Sequence, residues 1–296
     1  MSSKMVKDVL DDLYFDITPR SQKELIDSIK KEVLLSSIIK KLQITDDEIW
    51  DNYIELKDFI QENKENDENK IYKTIILRNN DNELVFAKQI VKNENSKRYL
   101  LENNLAFSNI SKPMNDLILQ EIDTIKEHSH FDLYNYKHDL LSKIEQGNNQ
   151  ITGCFIQGDY ASLRSHALSA IANTLMVEDY EVAYINANYL EDQLKTNFSS
   201  ANNETNFVIN SLIDIDVLVI DEIGFKKYSA WFIETVLIKI LESRLINNKL
   251  TFIGSYLSIR DLNKIVNPNN KTSVFALKKL ESIIIKLCPS QIWIGR

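Results

Sequence analysis

Two short stretches carry residue types that could handle phosphate. The first is Gly158-Asp159-Tyr160-Ala161-Ser162-Leu163-Arg164-Ser165, just ahead of an apolar run that begins at Ala167. It has the frame of the phosphate-binding turn G-x-x-x-x-G-K-[ST], in which backbone N–H groups cradle phosphate, a lysine reaches it and a hydroxyl joins Mg²⁺. Gly158 and Ser165 fit that frame, while Leu163 stands where the second glycine belongs and Arg164 where the lysine belongs. The second stretch is Val217-Leu218-Val219-Ile220-Asp221-Glu222, four apolar residues and then two carboxylates. At the end of a buried strand this is the Walker B pattern. Asp221 would help hold Mg²⁺ together with Ser165, and Glu222 would polarise an attacking water. Blander readings stand beside these: the two carboxylates as helix caps at a strand end, and Arg164 as a solvated residue at a helix start.

Such groups need a frame that brings distant strand ends together. From Tyr136 onward the pattern alternates helix and strand. Strands are expected over 153–157, 182–186, 217–220, 251–254 and 291–294, and helices over 165–176, 231–245 and 274–287. Apolar strands alternating with helices predict a parallel sheet covered on both faces. Ligands of such sheets bind beyond the carboxyl ends of the strands, where both stretches fall.

The first third reads differently. Ser21-Gln22-Lys23-Glu24 and Thr45-Asp46-Asp47-Glu48 both have capping-box spacing. Each leads into an amphipathic run, the first through Leu34, Leu35, Ile38, Ile39 and Leu42, the second through Ile49, Trp50, Tyr53, Ile54 and Ile60. Two strand-like runs, 71–78 and 83–91, flank the turn sequence Asn79-Asn80-Asp81-Asn82. The expected organisation is a small α+β module over 1–95, a polar connector over 96–135, and an α/β domain over 136–296.

Composition narrows the function classes. The chain has 296 residues, 44% hydrophobic, enough for a substantial core. Its net charge of −8 and the lack of a long basic stripe do not favour a protein that grips duplex DNA by its phosphates. Cys154 and Cys288 are far apart, without a CxxC, and read as buried thiols of a reducing compartment. His128, His130, His138 and His166 lack zinc-ligand spacing, so no zinc is expected. No stretch reaches the ~20 apolar residues needed to span a bilayer, and no apolar signal core is present, so a cytoplasmic protein without membrane contact is expected. Only seven residues are arginine. Arg244 reads as a packing or ion-pair arginine, and Trp50, Trp231 and Trp293 as core residues.

From Val217 to Val266 the chain resembles the bacterial replicative-helicase loaders of the DnaI/DnaC type, which are AAA+ proteins. VLVIDEIG is followed by Ser229-Ala230-Trp231, by a helix containing Ser243-Arg244, by Leu250-Thr251-Phe252 and by Asp261-Leu262. The helix Ala167-Leu168-Ser169-Ala170-Ile171-Ala172-Asn173 is also similar to that of the loaders. The resemblance covers roughly residues 100–296, and is weaker before them. It implies an N-terminal module that binds the replicative DNA helicase. It also implies an AAA+ P-loop-type domain that helps load the ring on single-stranded DNA, with other primosome proteins as further partners.

The departures from the family fall on its nucleotide site. Ala161 and Leu163 replace glycines, and Tyr256 follows Ser255 where the family has Ser-Asn. Lys278 and Ser282 stand where the family carries two arginines that act on nucleotide. The loaders' N-terminal zinc cysteines have no counterpart. A leucine forced to φ > 0 costs about 1–2 kcal/mol. A lost charged hydrogen bond costs roughly 1.5–3 kcal/mol. Together these remove about two to three decades of affinity or more. ATP with Mg²⁺ is therefore expected to bind weakly or not at all, through Gly158, Arg164, Ser165 and Asp221, with Glu222 vestigial as a catalytic group. The enzyme question leans towards no activity. Three alternatives stay open: an active P-loop ATPase of the IstB transposition-helper kind, a DnaA-like initiator, and a non-enzymatic AAA+-derived scaffold. The initiator reading would need a DNA-binding domain after the last strand, where this sequence stops.

Overall fold

The computed structural model describes residues 19–64, 67–110, 116–122, 131–147, 150–160, 162–197, 202–266 and 274–295. Ala161, His128 and His130 lie outside them. The chain divides into two compact units, Met1–Tyr99 and Leu100–Arg296.

The first unit holds four helices, α1 (Pro19–Lys31), α2 (Val33–Leu42), α3 (Asp46–Asp51) and α4 (Tyr53–Lys64), and a hairpin of β1 (Tyr72–Arg78) and β2 (Leu84–Ile90). Ser21 does not cap a helix: α1 already begins at Pro19, whose fixed φ suits a first helical position. The long amphipathic run is also two helices, because Glu32 takes an extended conformation between them. At Thr45 the capping box forms as the spacing predicts, with Thr45 and Glu48 satisfying each other's backbone N–H groups. Ile29, Leu35, Ile49 and Leu56 form the centre of the core, and Ile38, Leu42, Trp50 and Tyr53 pack partly buried around it. Among the described residues of this unit, the exposed large apolar side chains are Val33, Leu34, Ile54 and Tyr99. In the turn, the Asn79 side-chain oxygen accepts from the N–H groups of Asp81 and Glu83 at 3.0 and 2.8 Å, and Asn82 takes φ 63°.

Arg78 fastens the hairpin to the helices. Its guanidinium donates to both Glu48 carboxylate oxygens at 2.7 and 3.0 Å and to the Leu42 carbonyl at 2.8 Å. The Arg78 bond, then the Thr45 N–H, hold the Glu48 pKa down at about 2. A carboxylate depressed in the folded state stabilises above its unfolded pKa, and that contribution disappears as pH falls through the folded value. Glu48→Gln should therefore lower the denaturation midpoint at neutral pH. The gap to the unaltered protein should close between pH ~4.5 and ~2. Urea titrations at a series of pH values check this, and a gap that persists unchanged at pH 2 would refute it.

The second unit is built on a six-stranded sheet. Its elements are α5 (Glu94–Asn103, which contains the division between the units), β3 (Leu105–Ser108), α6 (Phe131–Glu145), β4 (Cys154–Gly158), α7 (Arg164–Val177), β5 (Val182–Asn186), α8 (Ala187–Asn197), α9 (Asn202–Asp214), β6 (Val217–Ile223), a π-helical turn (Phe232–Leu237) leading into α10 (Ile238–Ile246), β7 (Leu250–Ser255), α11 (Val274–Leu287) and β8 (Ser290–Ile294). The strand order is β3-β5-β6-β7-β4-β8, with every pairing parallel. Successive residues of a strand face opposite sides. Val217 and Val219 accordingly join the core beneath α6 and α7, while Leu218 and Ile220 join the core beneath α8 to α11. Two cores on one sheet explain why the strands are apolar throughout rather than alternating.

The segment 96–135 is more than a connector. It supplies α5, the edge strand β3 and a short 3₁₀ turn at Leu119–Glu121. Leu105 pairs with Val182, and the Asn104 carbonyl accepts the Val182 N–H at 2.8 Å. Trp293 departs from the core reading: on β8 it is 58% exposed. Among the described residues, no helix is long and apolar enough to cross a membrane, and no three His, Cys, Asp or Glu side chains gather as metal ligands.

Candidate functional site

The two stretches of interest meet at the carboxyl ends of the strands. Gly158 closes β4, and Asp221 and Glu222 lie near the end of β6. β7 runs between these strands, so the two ends stand two strand spacings apart, about 10 Å. Gly254 on β7 keeps the space between them open. A Cβ placed there would lie 2.3 Å from the Asp221 Oδ1 and 2.5 Å from the Leu168 Cδ1. Only a residue without a side chain fits beside the Asp221 carboxylate.

Arg164 fills that space. It opens α7, yet only 2% of it is exposed. Neither a solvated side chain nor one held out towards a phosphate fits this position. Its Nε donates to the Asp221 Oδ1 at 3.0 Å, its Nη2 to the Glu222 Oε1 at 2.6 Å and its Nη1 to the Gly158 carbonyl at 2.6 Å. The remaining carboxylate oxygens are also engaged. Tyr184 of β5 donates to the Asp221 Oδ2 at 3.0 Å, and Tyr256, just past β7, donates to the Glu222 Oε2 at 2.7 Å. The Tyr256 ring also lies under the guanidinium, 4.1 Å from the arginine Cζ to the ring centre, a cation–π contact. Phe225 extends the stack, its ring centre 5.9 Å from that of Tyr256.

The electrostatics agree with this geometry. Burial opposes the charge of Arg164, but the Asp221 carboxylate, with Tyr256 and Glu222, outweighs it and raises the pKa above the ordinary arginine value. Burial, with the Asp221 charge behind it, pushes the Tyr184 phenol far up. Tyr256 is raised as well, by burial first and against the pull of Arg164, with Glu222 adding to the rise. Both phenols remain proton donors.

The turn after β4 has a conformation of its own. Leu163 sits at φ −78° and ψ 12°, so the strain expected of a leucine forced to positive φ does not arise. The Ser162 N–H donates to the Asp159 carbonyl at 3.0 Å, and the Arg164 N–H points to the Ser162 Oγ at 3.4 Å. These groups are turned to local acceptors rather than towards a common anion. Ser165 is half-buried in the first turn of α7. As they stand, the residues do not fit Mg²⁺ with a nucleotide. Both oxygens of Asp221 already accept hydrogen bonds, and the guanidinium occupies the ground between the turn and the carboxylates.

Other positions from the sequence fall outside this cluster. Lys278 and Ser282 are exposed on α11. Arg244 is fully buried and bonds to no carboxylate. Its guanidinium donates to the carbonyls of Leu212, Ile213, Ile215, Asp216 and Leu250 and to the Thr251 hydroxyl. Sequence reasoning missed Tyr184, although a tyrosine inside the buried strand Val-Ala-Tyr-Ile-Asn must find a partner for its hydroxyl. It also missed the support under Glu222. This residue takes φ 67°, in the left-handed region. The Asn188 amide donates to its carbonyl at 3.3 Å, and the Tyr228 hydroxyl holds Asn188 at 2.9 Å.

Comparison with known proteins agrees with the resemblance read from the residues. The chain is 28% identical over 128 residues to the replicative helicase loader DnaC of Buchnera aphidicola subsp. Acyrthosiphon pisum (strain APS). The match takes in 40% of this chain and 51% of that protein, so the chain spans about half the length of this relative. Among solved structures it is similar to DnaI, with a TM-score of 0.52 and 18% identity, covering 67% of this chain and 93% of the other. It is also similar to a Streptococcus pyogenes serotype M3 protein described as a primosome component, with a TM-score of 0.51 and 19% identity over 67% of this chain and 96% of the other. These structures share its fold, a parallel sheet flanked by helices. No family model matches the chain.

Proposed function

We propose that this chain is a helicase loader of the DnaI/DnaC kind. It binds the replicative DNA helicase in the cytoplasm and helps place that ring on single-stranded DNA, by protein contacts rather than by an ATP cycle. The observation that carries the reading is the 128-residue match to a replicative helicase loader, supported by the fold shared with DnaI. The second half of the proposal rests on the site. An ATPase needs Asp221 free for Mg²⁺ and Glu222 free for water, and Arg164, Tyr184 and Tyr256 engage both. Other primosome proteins and the single strand itself are further partners on this reading. The exposed Val33 and Leu34 of the first unit are the first surface to alter in mapping the helicase contact.

The test uses the full chain and the replicative helicase of the same organism in size-exclusion chromatography with light scattering. Co-elution at micromolar concentrations is expected without nucleotide, and ATP should leave it unchanged. Absence of a complex under both conditions would remove the loader reading. A complex that forms only with ATP would keep the loader and remove the nucleotide-independent part.

A further inference from the structure

We propose that the Arg164 guanidinium is a permanent internal stand-in for the divalent cation of this site, locking the turn after β4, the end of β6 and the end of β7 into one piece without any diffusible ligand. This goes beyond the loader reading and does not depend on it.

The case begins with charge. Asp221 is 3% exposed and Glu222 half-buried, and both belong to the same strand end. Two carboxylates brought so close out of water need a positive charge between them. In a nucleotide site that charge arrives as Mg²⁺, carried with phosphate. Here it is covalently part of α7, at 3.0 Å from one carboxylate and 2.6 Å from the other. A planar fork suits this task, since its separate N–H groups can address two acids and a carbonyl together. The two tyrosine hydroxyls donate to the other oxygen of each acid, at 3.0 and 2.7 Å, and the Glu222 N–H also donates to the Asp221 Oδ1 at 2.7 Å. Tyr256 also covers the cation with its ring.

The connections follow from the bonds. Through the Gly158 carbonyl Arg164 holds the strand before its own turn, through Asp221 and Glu222 it holds β6, and through Tyr256 the end of β7. Glu222 keeps a left-handed backbone that non-glycine residues rarely adopt. Such a conformation persists where the surroundings fix it, and Arg164 is one of the fixings. Arg164 is thus a positioning residue: it sets the strand ends and turns over no substrate.

A merely structural ion pair and a cation stand-in differ in one response. If Arg164 occupies the place of a cation, removing it should uncover a latent divalent site. The probe is Mg²⁺ alone, and the readout is the melting temperature of the full chain. The unaltered protein should show no Mg²⁺ response. Arg164→Met should melt about 10 °C lower. It should recover about 3–6 °C once Mg²⁺ reaches ten times its dissociation constant. Adding Asp221→Asn to Arg164→Met should abolish that recovery. Arg164→Met that folds but ignores Mg²⁺, or an unaltered protein that responds as strongly as the variant, would overturn the proposal. If Arg164→Met does not fold alone, it is refolded in Mg²⁺, beside a control in which Asp221→Asn and Glu222→Gln also remove the uncovered charge. Recovery in Mg²⁺ supports the proposal. Failure to recover in Mg²⁺ overturns it, whether or not the control folds.

Discussion

Arg244→Met is expected to destabilise the second unit by on the order of 4 kcal/mol, a large share of the roughly 5–15 kcal/mol that keeps a typical domain folded. The arginine is fully buried, and burial lowers its pKa to about 10 against the pull of Asp216 and Asp214. The charge is kept because the end of α9 turns four carbonyls towards it, those of Leu212, Ile213, Ile215 and Asp216, and the start of β7 adds the Leu250 carbonyl and the Thr251 hydroxyl. A helix end leaves its last carbonyls without partners, and here one side chain serves several of them while joining the entry to β6 with that to β7. Methionine fills part of the volume and leaves these acceptors unsatisfied. Arg244→Lys should recover less than half of the loss, because an ammonium cannot reach both groups of acceptors at once. Urea denaturation followed by circular dichroism measures both. A methionine variant within about 1 kcal/mol of the parent would mean that the carbonyls find water, and that Arg244 does not tie the entry of β6 to that of β7.

The second large effect concerns nucleotide. The variant Ala161→Gly, Leu163→Gly, Arg164→Lys is expected to bind ATP about 100-fold more tightly than the parent, on the energies of one lost charged hydrogen bond and one unsuitable loop residue. The two glycines let backbone N–H groups turn towards phosphate at the start of α7. The lysine keeps a positive charge but gives up the fork that now ties Asp221, Glu222 and the Gly158 carbonyl. Asp221 and Ser165 could then share Mg²⁺. Hydrolysis should remain near background, because Tyr256 still bonds to Glu222, and Lys278 and Ser282 stand where the resemblance to the loaders would place arginines. Arginine fingers are worth roughly 10³-fold or more. Calorimetry and a phosphate-release assay separate binding from turnover. A folded variant with no gain in affinity would show that this turn is not a relic of a phosphate cradle.

The sequence carried the sheet well because its signals were redundant. Val217 to Ile220 could only be a strand buried on both faces, and Asp221 and Glu222 marked its carboxyl end. Thr45 and Glu48 likewise satisfied a local rule that no tertiary contact had to complete. Legibility failed where a partner outside the local window decided the outcome. Leu105 to Phe107 is too short an apolar run to announce an edge strand, and becomes one only beside Val182 and Ala183. Ser21 met the spacing of a cap but lost to Pro19, two residues earlier. Along the chain Arg164 stands at the lysine of a motif, but its partners lie across the sheet in two carboxylates and Tyr256. The pairing had a written trace: Arg164 and Tyr256 both depart from the loader pattern that the chain resembles, in the same sequence. Substitutions that look like separate losses can be one compensated exchange.

The left-handed backbone at Glu222 bears on how such a site drifts. At φ 67° a glycine or asparagine would sit more comfortably than a glutamate, so relaxed selection on hydrolysis alone would favour replacing Glu222. Once Arg164 has turned inward, that path narrows. Losing the glutamate leaves a buried guanidinium with one carboxylate fewer, and losing the arginine leaves two acids facing each other. Losing any one of the three alone then costs stability. A lineage that closed its nucleotide site in this way would go on carrying a recognisable Asp-Glu pair long after the pair had stopped serving catalysis, and the persistence of those two letters would report the arginine beneath them rather than an ATPase.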